Sequence, residues 1–439
     1  MPEPTLEQLN DSAIARLDAE LVGRLNGVRL SSEQLDVYKR NLKTGWRVPI
    51  AFSDGERQLD VLADGTVPFG PPKIALVDRP AALTWPHLEP DGVLCPIPTQ
   101  ASFDFRRPEH VVQELLFSST KLIEDNISGQ TQRDFQSEFH SYWIQAKPDG
   151  KPFRSLLTPR APSRKAYAWL GEQFNLVADR PRNIVSWMAN LFAKSIKESD
   201  LTPVALLWLA EPLFPHEYPY SARDVYAITK KFDEPTFRVL SQLISLSPRK
   251  LILVLCAPTD NGPALAGITV PAPGGLKFEG DARLPRIPGF RLGHAPPSLL
   301  IERYLGESTP TSRSIVERVD AAWIHGRGCD HDQPELARSR IVIVGYGSLG
   351  GHVAQLLAQA GIGKLDLVDP QILEWANVGR HPLGANHVGD RKASSLAAIL
   401  RQSFPHSAFN AYDVTWQQVD RDHTDVLRTA SVILNATGA

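Results

Sequence analysis

Two groups of residues in this chain combine side chains and spacings suited to chemistry. The first is Gly345, Gly347 and Gly350 in the run Gly345-Tyr346-Gly347-Ser348-Leu349-Gly350, followed by Asp369, Asn377, Arg380 and Lys392. Glycines let the backbone turn tightly and approach a phosphate. A helix opening at such a turn offers unpaired N–H groups, and an acidic residue at the next strand end accepts hydrogen bonds from ribose hydroxyls. An NAD site would use that much, but it needs little positive charge downstream. Cleavage of ATP between its α and β phosphates leaves several negative charges on the departing pyrophosphate, which Arg380 and Lys392 would neutralise. The second group is Cys95 with His87, in a His-x7-Cys spacing. A thiol that attacks a protein-sized substrate must be exposed, and Pro96 disfavours burial of Cys95 within a central strand; the competing role for any free cysteine is that of a small core hydrophobe.

The elements that must hold these residues follow from the hydrophobic patterning. Residues 340–344 predict a buried parallel strand, 351–361 an amphipathic helix, 364–368 a second strand ending at Asp369, and Lys392 the start of a further helix. Further strands are expected at 408–412 and 431–435, with a polar helix between them. A doubly wound sheet normally runs past four strands, so it is expected to continue beyond Ala439. Near the front, short β-type runs between residues 45 and 77 are broken by Ser53-Asp54-Gly55 and by the prolines of 67–72, as in an antiparallel meander. Asp91-Gly92 reads as a turn. Between the motif regions, 163–177, 182–197 and 235–244 have helical periodicity. Residues 203–209 and 250–256 read as buried strands, the latter placing Cys256 in a core, and 265–270 is a strand candidate that pairs back.

Strand, glycine turn, helix, strand-Asp, then Asn377-Val378-Gly379-Arg380-His381 and Gly389-Asp390-Arg391-Lys392-Ala393 resemble the adenylation domain of the ubiquitin-activating family, which includes the ThiF-type activators of sulfur-carrier proteins. The resemblance implies that Gly345, Gly347, Gly350, Asp369, Asn377, Arg380 and Lys392 cradle ATP, with Mg2+, and the acyl-adenylate of a partner's C-terminal carboxylate. A helix, a meander, a Pro-rich segment and His87…Cys95 resemble a ubiquitin-conjugating domain, whose cysteine takes the carrier as a thioester. That family's His-Pro-Asn is here His87-Leu88-Glu89, with a shorter spacing to the cysteine. The prokaryotic branch shows such a reduced form, and 135–143 is similar to it. His87 is expected to orient the loop. Together the two parts resemble a bacterial fusion of conjugating-like and activating-like domains from antiphage operons that encode a cyclic-oligonucleotide synthase. The fold expected is α/β and α+β multidomain: a conjugating-type α+β domain over 1–150, a mixed α/β linker domain over 151–330, and an incomplete Rossmann-like doubly wound parallel sheet over 331–439. The implied partners are a protein C-terminal tail, such as that of the synthase, and an amine acceptor, with a homodimer through the adenylation domain. The metal-associated Asp and acceptor Cys of the activating family are not identifiable in this sequence.

Composition sets the outer limits. At 439 residues, 42% hydrophobic and 22% charged, the chain has the makeup of several globular cores. A net charge of −2 gives no electrostatic reason to expect nucleic acid or an anionic membrane as partner. Residues 1–19 lack the apolar core of a secretion signal, and no apolar run reaches membrane-spanning length. Three cysteines, Cys95, Cys256 and Cys329, without a Cys-x-x-Cys pair suggest no zinc site and fit a reducing compartment, so a cytoplasmic protein is expected. Cys329 is assigned no role, and Arg313, Arg318, Trp323 and Arg327 are read as surface or packing residues. Three other readings stay open. A sulfur-carrier adenylyltransferase would use the nucleotide turn but not residues 20–150, an NAD-dependent oxidoreductase would leave Arg380 and Lys392 without a use, and an inactive scaffold would need neither site.

Overall fold

The computed structural model describes residues 5–96, 103–247, 249–274, 289–291, 294, 296–326 and 332–438. It divides into two compact units, one of Met1–Ala146 with Leu213–His216, the other of Lys147–Pro212 with Glu217–Ala439. Cys329 and Arg327 lie outside the described residues.

The first unit is an antiparallel meander covered by helices. Strands β1 (Val28–Arg29), β2 (Leu42–Phe52), β3 (Gly55–Asp64) and β4 (Lys73–Leu76) pair in sequence order. The tight turn between β2 and β3 is Ser53-Asp54, followed by Gly55 at φ +136°, a backbone that favours glycine. Helix Leu6–Leu21 starts with a reciprocal cap between Thr5 and Gln8 and buries Ala13, Leu17 and Leu21. Helix Pro108–Ile127 buries Val111, Val112, Leu115, Leu116 and Ile123 in the same core, with Trp46, Val48, Leu59 and Val61 from the sheet.

The second unit contains a closed ring of strands and an open parallel sheet. The ring uses β5 (Phe153–Ser155), β6 (Arg164–Leu170), β7 (Asn175–Ala178), β8 (Thr202–Trp208), β9 (Lys250–Ala257), β10 (Ala264–Pro271) and β11 (Ser312–Arg318). Pairs β5–β7, β5–β11 and β8–β9 are parallel and the other four antiparallel. Residues 163–177, expected as a helix, are instead two paired strands. Ala166 and Ala168 point into the barrel while Lys165 faces out, so a two-residue alternation of small residues outweighs their helix propensity. The next helix, Pro181–Phe192, is shorter than its periodicity suggests, because Ala193 closes it in a left-handed conformation at φ +51°. Cys256 is fully buried in the barrel core.

The parallel sheet comprises β12 (Arg340–Val344), β13 (Lys364–Val368), β14 (Ala408–Tyr412) and β15 (Val432–Asn435), in the order β14-β13-β12-β15. The chain leaves β12 to one side for β13 and β14, then returns to its other side for β15. Such a reversal opens a crevice at the carboxyl end of the central strand, where ligands of open α/β sheets bind.

Candidate functional site

That crevice is where the glycine turn lies. Gly345 to Gly347 connects β12 to helix Ser348–Ala360, and a cleft of about 310 Å³ is lined by Gly345, Tyr346, Gly347, Asp369, Gln371, Thr415, Trp416 and Ala436 to Gly438, among others. Gly345 has φ +92°, and a β-carbon there would meet Thr437 N at 2.8 Å. Gly350 lies against the turn, its would-be β-carbon 2.0 Å from the Gly345 oxygen. Gly347 is different: a β-carbon would meet nothing within 4 Å, so the protein's own packing does not require glycine there, whereas a phosphate drawn against the backbone would. Gly347 caps its helix without a side-chain hydrogen bond, leaving first-turn N–H groups for water or a ligand.

Asp369 is buried, its carboxylate accepting from Tyr346 N at 2.5 Å and Gln371 N at 2.7 Å. It therefore braces the turn as well as facing the cleft. Lys392 opens helix Lys392–Ser403, but its ammonium is buried and donates to Gln371 Oε1 at 2.9 Å. Asn377 accepts from Glu374 N at 3.2 Å, and the exposed Arg380 donates to Ala376 O at 3.1 Å. The structure thus gathers Gly345, Gly347 and Asp369 on the cleft with Gly350 behind them, while Asn377, Arg380 and Lys392 are not among its lining residues.

His381 stands in the sequence motif without an expected role, and the structure gives it one. Its Nε2–H donates to Tyr346 O at 2.8 Å and its Nδ1 accepts from Leu383 N at 3.1 Å, which fixes the neutral tautomer and ties the glycine turn to the segment after β13. Desolvation, with the nearby Lys392 charge, holds its pKa below the ordinary value. Thr415 and Gln418 form a capping box at the cleft rim, a signal legible in the Thr-x-x-Gln spacing.

In the first unit, Cys95 ends a self-bonded turn. Cys95 N donates to His87 O at 2.9 Å, Glu89 N to Val93 O at 2.8 Å and Gly92 N to Glu89 O at 2.9 Å. Leu88 and Leu94 are both buried in the core, and Leu94 N also donates to Ile74 O of β4 at 2.8 Å. Anchored between Leu94 and Pro96, Cys95 itself is exposed. His87 holds a left-handed backbone at φ +57°; its N–H donates to the Tyr142 hydroxyl at 2.9 Å, and its Nε2 lies 3.0 Å from Asp134 Oδ2. The Cys95 thiol donates instead to Glu89 Oε1 at 3.7 Å, and Arg40 clamps Glu89 at 2.6 Å and Asp91 at 2.7 Å. Desolvation by surrounding atoms and then the Glu89 carboxylate push the thiol above its ordinary pKa, although the side chain is accessible. The sequence places Glu89 where the related family has Asn but gives it no role, and it does not single out Arg40 or Tyr142, because their convergence depends on tertiary contacts.

Fold and site define a chain that joins an accessible-thiol α+β domain to a nucleotide-type parallel sheet. Residues 23–152 match prokaryotic E2 family B and residues 324–438 match the ThiF family, so the chain carries both domains. It is 22% identical over 470 aligned residues to the ATP-dependent ubiquitin transferase-like protein Cap2 of Escherichia coli (strain TW11681), covering 95% of this chain and 76% of that protein. It is 45% identical over 71 residues to the adenylyltransferase and sulfurtransferase MOCS3 of Mus musculus, covering 16% of this chain but only 15% of that relative. Escherichia coli tRNA N6-threonylcarbamoyladenosine dehydratase TcdA in complex with ATP is a solved structure at 24% identity and a TM-score of 0.24, with 27% of this chain and 48% of that chain covered.

Proposed function

We propose that this chain performs ubiquitin-transfer-like ligation in antiphage defence. A partner protein's C-terminal carboxylate is adenylated with ATP at the glycine turn, and the acyl group is later carried as a thioester on Cys95 to an amine acceptor. The reading rests on one co-occurrence: Cys95 exposed at the end of a self-bonded turn, in the same chain as a phosphate-type turn whose Gly347 faces open space. The match along 95% of the chain to an ATP-dependent ubiquitin transferase-like protein supports it. A sulfur-carrier activator would have no use for the conjugating-type domain.

ATP fits the cleft by three features, namely the open Gly347 backbone, the uncapped helix start and the strand-end Asp369. Carboxylate attack on the α phosphate forms the acyl-adenylate and releases pyrophosphate, and Lys392 and Arg380 would turn towards that charge from their present protein-bound positions. Among the described residues no group of three or more His, Cys, Asp and Glu is placed to hold a metal, so Mg2+ would arrive held largely by the triphosphate. A donor thiol then attacks the acyl carbonyl of the adenylate and AMP leaves, giving a first thioester. On the first unit, Cys95 sulfur attacks that thioester carbonyl, the donor thiolate leaves, and Glu89 is positioned to accept the S–H proton. The amine then displaces Cys95. The partner implied by the resemblance is a cyclic-oligonucleotide synthase, and the homodimer belongs to the same proposal.

The test is mass spectrometry of the protein recovered from cells under acidic, non-reducing conditions. A protein-sized adduct on Cys95, released by thiol and absent from Cys95→Ala, is expected. An unmodified Cys95 in a protein that catalyses ATP–pyrophosphate exchange would reject the conjugating role.

A further inference from the structure

We propose that the barrel-bearing unit holds an anion site for a small, phosphate-rich ligand, built on Arg160, Arg180 and Arg182. These residues line a concavity of about 660 Å³ that shares no lining residue with the nucleotide cleft. That volume falls within the range of small-molecule sites.

Four guanidiniums line it, those three and Arg164, against a single carboxylate, Asp179. The carboxylate is already occupied: Oδ1 accepts from Arg164 Nε at 2.7 Å and Oδ2 from Thr158 N at 2.9 Å. Arg164 is equally occupied, because its guanidinium also donates to the carbonyls of Thr158, Arg160 and Pro162. The loop from Thr158 to Arg164 is thereby fastened from within, and Arg160 is presented on a preformed support. Arg160, Arg180 and Arg182 have no ion-pair or side-chain hydrogen-bond partner among the described residues. Three like charges in one concavity repel one another, and a chain with net charge −2 has no general basicity to account for them.

The backbone adds to the same polarity. Helix Pro181–Phe192 begins here, with Arg180 at its N-cap making no side-chain capping bond. Pro181 has no N–H and Asn183 N donates to Arg180 O at 3.1 Å, so the backbone contributes the Arg182 N–H and the positive end of the helix dipole to the concavity wall. Guanidinium forks match phosphate oxygens in pairs. Three of them with a helix start exceed what one carboxylate would balance and suit a di- or triphosphate group.

Calorimetric titration of the whole chain with inorganic tripolyphosphate tests this. Wild type is expected to bind more weakly as salt rises, and Arg160→Ala/Arg182→Ala to lose roughly tenfold or more in affinity. Arg160→Lys/Arg182→Lys, which keeps charge but not the fork, should fall between them, guarding against a folding defect. Lys392→Ala should keep the binding if the site is independent of the nucleotide cleft. A parallel ATP titration of wild type and Arg160→Ala/Arg182→Ala distinguishes the source: ATP binding lost in the double variant identifies a nucleotide ligand for the concavity, and ATP binding unchanged while tripolyphosphate binding falls identifies a nucleoside-free chain. No binding to wild type at low salt, or equal affinity in the double alanine variant, overturns the proposal. So does loss only in Lys392→Ala, or equal competition by poly-glutamate, which would make this a protein-docking surface.

Discussion

The backbone N–H of Cys95 donates to the carbonyl of His87 at 2.9 Å, so the thiol's position is set by the chain segment that also carries the histidine. The His87 ring points elsewhere, with Nε2 at 3.0 Å from Asp134, and the atom nearest to acting on the sulfur's proton is Glu89 Oε1.

Because Glu89 contributes to raising the Cys95 pKa, neutralising it with Glu89→Gln should lower that pKa. Alkylation by iodoacetamide near pH 8 should then be several-fold faster, since the reactive thiolate fraction grows up to about tenfold for a pKa lower by one. A slower or unchanged rate would remove Glu89 from control of the thiol.

Tyr142→Phe should destabilise the first unit. It removes the acceptor of the His87 N–H, at 2.9 Å, on a half-buried turn residue. A polar group left without a partner costs about 1–3 kcal/mol, readable in denaturant unfolding of the whole chain. A variant as stable as wild type would show that water replaces the hydroxyl freely.

Gly345→Ala and Gly347→Ala should separate folding from binding. The first places a β-carbon at φ +92° and 2.8 Å from Thr437 N, which should lower stability by more than about 1 kcal/mol. The second meets no protein atom within 4 Å, so thermal stability should change by less than about 1 kcal/mol while ATP binding falls. Equal ATP affinity in Gly347→Ala would show that nucleotide does not approach that backbone.

Acidification should weaken the second unit through His381 and through His406, which lies between helix Lys392–Ser403 and β14 with its Nε2 2.5 Å from His325 Nε2. Burial depresses both, His406 to about 4, so the folded state releases their protons more readily than the unfolded chain. Their stabilisation is complete above the unfolded value of about 6.5 and is lost as pH falls through the folded values. Melting of the His381→Gln/His406→Gln variant should depend less on pH between about 4 and 6.5 than that of wild type. Equal slopes in the two proteins would assign the acid sensitivity to other groups.

The parallel sheet was largely legible in the sequence, because strands buried on both faces read as apolar runs: 341–344 is one, whereas in 364–368 the run is interrupted by Asp366, a buried carboxylate that pairs with Arg340 at 2.6 Å. The meander was legible from its turn residues. Residues 163–177 were not, because the alternation Lys165-Ala166-Tyr167-Ala168-Trp169 hides its inward face behind small alanines and its outward face behind aromatic rings. At the sites, the glycines and Cys95 announce themselves by type and spacing. Arg40, Tyr142 and the buried end of Lys392 do not, since each finds its partner only through the fold.

The strand ring of the second unit closes when β9 pairs with β10, leaving every strand flanked on both sides. A cylinder of that kind has no ragged rim on which a foreign segment can be zipped. Evolution or design can therefore add recognition to it only through the connecting loops, and the arginine-fastened stretch between β5 and β6 is a natural place to graft one.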